Sequence, residues 1–78
     1  MKYVYILQSE VGEHFYVGVT EDVATRLQAH NAGRVPHTSK FGPWILRTYV
    51  AFSDEQRAFA FERYLKSASG RAFATKRF

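Results

Sequence analysis

Two short runs decide the fold: Tyr3-Val4-Tyr5-Ile6-Leu7 and, after a polar break, Tyr16-Val17-Gly18-Val19-Thr20. Both are rich in aromatic and β-branched residues, and Ser9-Glu10-Val11-Gly12-Glu13 separates them, so residues 2–8 and 14–20 read as a β-hairpin. Side chains alternate along a strand. Tyr3, Tyr5 and Leu7 therefore share one face and Val4 and Ile6 the other. On the second strand Tyr16, Gly18 and Thr20 oppose Phe15, Val17 and Val19. Pairing Val4 and Ile6 with Phe15, Val17 and Val19 makes one face a continuous apolar layer and gathers Tyr3, Tyr5 and Tyr16 around Gly18 on the other. A glycine inside a strand marks a place where another group approaches the backbone. The same tyrosines also suit a half-buried strand face on packing grounds alone.

Outward from the hairpin, Thr20 is placed to cap a helix reaching about Asn31, with Glu21 and Asp22 in its first turn and Gly33 as its stop. Residues 32–44 hold both prolines with Arg34 and Lys40, a basic loop. Trp44 to Phe52 reads as a third strand. Ser53-Asp54-Glu55-Gln56 matches a capping box opening a helix to about Ser67, with Ala58, Phe61, Leu65 and Ala68 facing the core. Ser69-Gly70 is expected to break that helix, leaving Arg71–Phe78 as a last short one. The order ββαβα(α) predicts an α/β (α+β) layer design, a small three-stranded, mainly antiparallel sheet flanked by helices. All of residues 1–78 are expected to fall in one domain.

The composition sets bounds. With 46% hydrophobic and 17% aromatic residues, a chain of this size can form a core without covalent staples. It has no cysteine, which excludes a disulfide scaffold and thiolate zinc sites. The apolar run at the N-terminus is too short for a signal peptide or a membrane span, so a cytoplasmic protein with no membrane partner is expected. Net charge is +4 and uneven. Residues 1–22 hold Glu10, Glu13, Glu21 and Asp22 against Lys2, whereas residues 23–78 hold Asp54, Glu55 and Glu62 against all the remaining lysines and arginines. That asymmetry suits a polyanionic partner, though solubility alone also accounts for it.

Three side-chain groupings could carry chemistry, the tyrosines first among them. Arg26 and His30 are four residues apart and share a helical face. Arginine offers a planar fork for phosphate, and histidine exchanges a proton near neutral pH. The pair also reads as an ordinary solvated one. Glu62 lies at the margin of the apolar stripe of its helix, where a carboxylate suits a hard cation. It can equally pair with Lys66 within the helix, worth about 0.3–0.5 kcal/mol.

Taken in order, Tyr3-Val4-Tyr5, Tyr16-Val17-Gly18, Arg26, His30-Asn31 and Phe61-Glu62-Arg63-Tyr64-Leu65-Lys66-Ser67 resemble the GIY-YIG nuclease superfamily. The likeness is to its small stand-alone bacterial members, which are similar to the nuclease domain of the ABC excinuclease. It covers essentially the whole chain. The resemblance implies a metal-dependent endonuclease acting on DNA, in repair or in processing of branched or damaged DNA. Tyr5 and Tyr16 match the two motif tyrosines, one of them a general base for the attacking water. Arg26 matches the catalytic arginine, Glu62 the ligand of one divalent ion (Mg²⁺ or Mn²⁺), and His30 a histidine that assists in some members. His37 is a less direct counterpart. Tyr3 replaces the glycine of the first motif, and Val4 and Val17 replace isoleucines. Several members use an asparagine late in the domain; here the only asparagine is Asn31, so none follows Glu62.

A phosphodiester needs a base for water, cations around its oxygens and help for the leaving oxygen. Tyrosine is a weak base at its free pKa of about 10, and nearby cations are expected to bring Tyr5 or Tyr16 closer to working pH. Arg34, His37, Lys40, Arg47, Arg71, Lys76 and Arg77 are candidates for gripping the nucleic-acid backbone. No segment reads as a base-reading helix, so low sequence specificity, or specificity for DNA shape, is expected, with RNA not distinguished and the chain a monomer. Two other readings stand beside the nuclease: a nucleic-acid-binding module of the same fold with little activity, and a domain recruited by a protein partner.

Overall fold

β1 (Lys2–Ser9) forms the centre of the sheet, with β2 (Phe15–Thr20) and β3 (Trp44–Phe52) antiparallel on either side. A computed structural model describes all 78 residues. The first hairpin brings together the faces that alternation predicts, in a register where Val4 faces Val19, Ile6 faces Val17 and Tyr5 faces Gly18. The order is ββαβαα, a three-stranded antiparallel sheet with three helices.

Helix α1 (Val23–Asn31) packs by Leu27 toward the tyrosine face, and α2 (Glu55–Lys66) and α3 (Ala68–Arg77) cover the opposite one. Each face has its own core. Val4, Ile6, Ala58 and Leu65 form one, completed by Val17, Val19, Phe61, Phe73 and Phe78. Tyr5, Leu7 and Trp44 form the other, with Tyr16, Leu27 and Leu46 against them. Both sides of β1 are thus sealed, and Tyr5 is a core residue with 1% of its surface exposed. Phe15 departs from the expected layer. It pairs with Gln8 at the open end of β2 and stays 56% exposed.

On the other edge a β-bulge interrupts the β1–β3 pairing between Ile6 and Leu7, which oppose Thr48 and Leu46 respectively. The extra residue, Arg47, is left without a ladder partner, as bulges do. Leu46 thereby comes to lie beside Leu7 and Tyr5 in the core.

The helix boundaries correct the expected ones by a residue or two. Asp22, not Thr20, caps α1: its carboxylate accepts from the Thr25 amide at 3.0 Å and the Thr25 hydroxyl at 2.9 Å. Thr20 instead accepts from the Asp22 amide at 3.1 Å, holding the cap, and no acid lies in the first turn. Gly33, at φ 75°, ends the helix as expected. Asp54, not Ser53, caps α2, accepting from the Gln56 amide at 2.9 Å. Adjacent Ser, Thr and Asp are all competent caps, and the strand ends choose among them.

The break between α2 and α3 lies at Ser67, whose hydroxyl caps α3 through the Gly70 amide at 3.1 Å. Ser69-Gly70 is inside α3, and Ala68, expected in the core stripe, is exposed. Gly70 is a contact residue rather than a breaker. A Cβ there would lie 1.7 Å from the Tyr64 carbonyl oxygen, so the missing side chain is what lets α3 fold back against the end of α2.

Candidate active site

The Tyr5 hydroxyl is the hub of the tyrosine face. It lies 2.9 Å from His30 Nε2 and 3.4 Å from Arg26 Nε. Gly18, directly across on β2, makes this possible. The Tyr5 ring lies over the β2 backbone there, and a Cβ on Gly18 would stand 2.5 Å from the hydroxyl. The helical spacing of Arg26 and His30 then delivers both side chains to the same oxygen.

His30 is 1% exposed and fully partnered. Its Nδ1 lies 2.7 Å from Thr38 Oγ1, and that hydroxyl has the Val35 carbonyl as its acceptor at 3.3 Å. Thr38 has one proton to give. Donating it to Val35 leaves the hydroxyl oxygen to accept from His30 Nδ1–H, so Nε2 is the unprotonated nitrogen and accepts from Tyr5 O–H. The hydroxyl of Tyr5 accepts in turn from Arg26. The chain of bonds runs Arg26, Tyr5, His30, Thr38, Val35 with each donor matched to an acceptor.

Tyr5 and Tyr16 gather as the alternation predicts, Tyr16 packing 4.8 Å from the His30 ring and 6.1 Å from Tyr5 between ring centres. Tyr3 lies apart, edge-on to Tyr49. Burial pushes the Tyr5 hydroxyl above the ordinary tyrosine value. The hydrogen bond from Arg26 opposes this, and the charges of Tyr16 and Glu62 add to it. Arg26 by itself therefore does not ease Tyr5 toward working pH, because desolvation outweighs the guanidinium. Arg26 is held above its ordinary value, first by its hydrogen bond to Tyr5 and further by Tyr16, so one guanidinium serves both hydroxyls.

Glu62 is half-buried at the edge of this cluster, and its charge reaches Tyr5. Its one ionic partner is Lys66 at 3.2 Å, so the intrahelical pair expected from the spacing is formed. No group of three or more His, Asp or Glu converges anywhere in the chain. The donor set for a cation is one carboxylate. That fits a Mg²⁺-like ion, which keeps several waters and takes substrate phosphate oxygens for the remainder, and it does not fit a protein-only cage.

A family model described as the GIY-YIG catalytic domain matches residues 1–77. The chain belongs to the GIY-YIG family. Among solved structures it is similar to the UPF0213 protein BH0048 from Bacillus halodurans, determined by solution NMR. The two are 31% identical over 97% of this chain and 84% of that one, with a TM-score of 0.58. No protein with a curated description matches. The fold is thus that of a nuclease family, and no helix is long and apolar enough to cross a membrane.

The basic residues of this GIY-YIG domain do not form one patch. Arg34, His37 and Lys40 are exposed on the loop that covers the Tyr5 face, whereas Arg71, Lys76 and Arg77 are exposed on α3, against the other face. Thr38 carried no signal in the sequence, and Asn31 entered only as part of a motif. Thr38, beside the exposed His37, orients His30. Asn31 clamps β3 to α1, its Oδ1 accepting from the Trp44 amide at 2.6 Å and its Nδ2 donating to the Trp44 carbonyl at 3.0 Å. The only asparagine of this GIY-YIG domain is therefore engaged in structure.

Burial, reinforced by the charge of Arg26, pushes His30 below the ordinary histidine value. The unfolded chain takes up a proton near pH 6.5 that the folded chain resists. His30 thus leaves stability intact above that pH and lowers it as the pH falls below. The urea midpoint is expected to drop between pH 7.5 and 5.5, and His30→Gln to flatten the slope. An equal slope in both proteins would count against a neutral buried His30.

Proposed function

We propose that this GIY-YIG domain is a divalent-metal-dependent endonuclease that hydrolyses DNA phosphodiester bonds, in the processing of branched or damaged DNA. The observation that carries the reading is the Tyr5 hub, in which one guanidinium and one imidazole converge on a buried hydroxyl beside a second tyrosine and a single carboxylate. A buried hydroxyl and imidazole with a cation and a carboxylate at their edge form an arrangement whose shifted proton affinities are of the kind that cluster at functional sites.

The roles divide by burial. Tyr16 is the less buried tyrosine, and its phenolate would take the proton of an attacking water. Tyr5, protonated through neutral pH, positions Arg26 and His30. Arg26 balances charge on the non-bridging oxygens of the phosphate. Thr38 holds His30 in the tautomer that accepts from Tyr5. Glu62 would hold the ion, which when bound polarises the phosphate and steadies the leaving oxygen.

Cleavage of labelled single-stranded, duplex, flapped and branched DNA tests the reading. Cutting with Mg²⁺ or Mn²⁺ is expected, with none in EDTA and none by Glu62→Gln. A folded protein that binds DNA but cuts nothing with any divalent ion would overturn it in favour of a binding module.

A further inference from the structure

The largest recess in the molecule lies where β2 and the end of β1 meet α2 and α3. Its volume is about 700 Å³, within the range of small-molecule sites. The floor is apolar, with Ile6, Val17 and Leu65 among its residues, and Phe15 and Phe78 stand in its walls. Arg47, Lys66 and Arg71 line it against one acid, Glu13.

Phe15 is the unusual member. An aromatic of the strand that seals the core would normally be covered, yet it is 56% exposed. It is also braced. The Arg47 guanidinium stands 5.8 Å from the Phe15 ring centroid, and it donates to Gln8 Oε1 at 2.8 Å and to the Phe78 main-chain oxygen at 2.8 Å. The bulge that frees Arg47 from the ladder thus ties both aromatic walls to one side chain. Arg71 has no acidic partner.

An apolar slot with aromatic walls and one unpaired cation, Arg71, at its rim complements a flat uncharged ring that carries a phosphate. Peptides and lipid chains match one half of that description; a nucleotide matches both. The recess also adjoins the candidate active site. Tyr16 lines it and packs on His30 at 4.8 Å, and Lys66 lines it and pairs with Glu62 at 3.2 Å.

We infer that this recess is a base-binding subsite: it takes one unstacked nucleobase of the strand being cut, stacked on Phe15, while Arg71 holds the adjoining phosphate. The inference rests on the nuclease reading and adds a requirement to it. A base inside a duplex is already stacked and paired and must be drawn out before it can enter. The strand beside the scissile bond is therefore unpaired, bulged or readily opened.

Binding without cutting tests this. Fluorescence anisotropy in EDTA would follow short labelled single strands in which one abasic residue is walked along the sequence, together with a fully paired duplex. Stacking of a base on an aromatic is worth enough for Phe15→Ala to weaken single-strand binding at least about fivefold. The abasic residue is expected to weaken wild-type binding similarly at one position only, and to have no further effect in Phe15→Ala. Duplex binding is expected to be unchanged by Phe15→Ala. Equal loss at every abasic position, or abasic and Phe15→Ala effects that simply multiply, would overturn the subsite while leaving the nuclease standing. If neither strand nor duplex binds in a salt-sensitive way, the nuclease reading falls and the subsite with it. The abasic walk uses the wild-type protein, so it decides even if the variant folds poorly.

Discussion

On the nuclease reading, Arg26→Ala is expected to lower the rate of metal-dependent DNA cleavage by about 10²–10³-fold, the usual effect of removing one preorganised donor from a developing oxyanion. The reason lies in its position. Arg26 is the cation that touches the Tyr5 hydroxyl and is also influenced by Tyr16, so it stands beside both candidate acid–base groups. Its removal leaves the Tyr5–His30 bond in place, and stability is expected to change by no more than about 1 kcal/mol. Arg26→Lys keeps the charge but loses the planar fork and is expected to recover only part of the rate. Single-turnover cleavage with a parallel urea titration separates the two effects. A wild-type rate in Arg26→Ala would remove the residue from the site, and a matching collapse of stability would assign it to the core instead.

Gly70→Ala is the counterpart for the fold. Elsewhere in a helix this substitution is stabilising, by roughly 0.8–1.0 kcal/mol in intrinsic propensity. Here the new Cβ would meet the Tyr64 carbonyl oxygen at 1.7 Å, its carbon at 2.4 Å and the Leu65 Cα at 2.7 Å. All three are backbone atoms, so no rotamer relieves the contact and α3 must lift away from α2. Phe73, Ala74 and Phe78 then leave the Val4–Ile6 core. The loss is expected at about 3 kcal/mol or more, a large part of what a domain this size possesses. Urea denaturation measures it, with Ser67→Ala as a reference expected to cost about 1 kcal/mol through the lost cap. A Gly70→Ala protein as stable as the wild type would mean that α3 is not packed as described.

Much of the site is legible in the sequence because its rules are periodic. Alternation of two puts Tyr5 and Gly18 on one face and separates the valines from the tyrosines. The parity of the pairing follows, since a slip of one residue would turn every side chain to the wrong face. A spacing of four puts Arg26 and His30 together. The motif resemblance adds Glu62, which the helix pattern alone leaves as a partner for Lys66. Local punctuation is where the sequence misleads. Thr20 and Ser53 have the chemistry of caps, yet the aspartates beside them serve instead, and Ser69-Gly70 looks like a stop where the chain continues as helix.

The sequence by itself determined the hairpin, the order of elements, and which side chains share a face, because these depend on repeats only a few residues long. Tertiary structure alone decided what those side chains experience. Thr38 reaches His30 only because the loop after α1 closes over the tyrosine face. Gly70 is needed only because two helix ends meet. Tyr5 is pushed up rather than eased down because helices and loop seal the sheet on both sides. Each is a relation between segments that lie apart along the chain or in facing layers, and no pattern within one segment contains it.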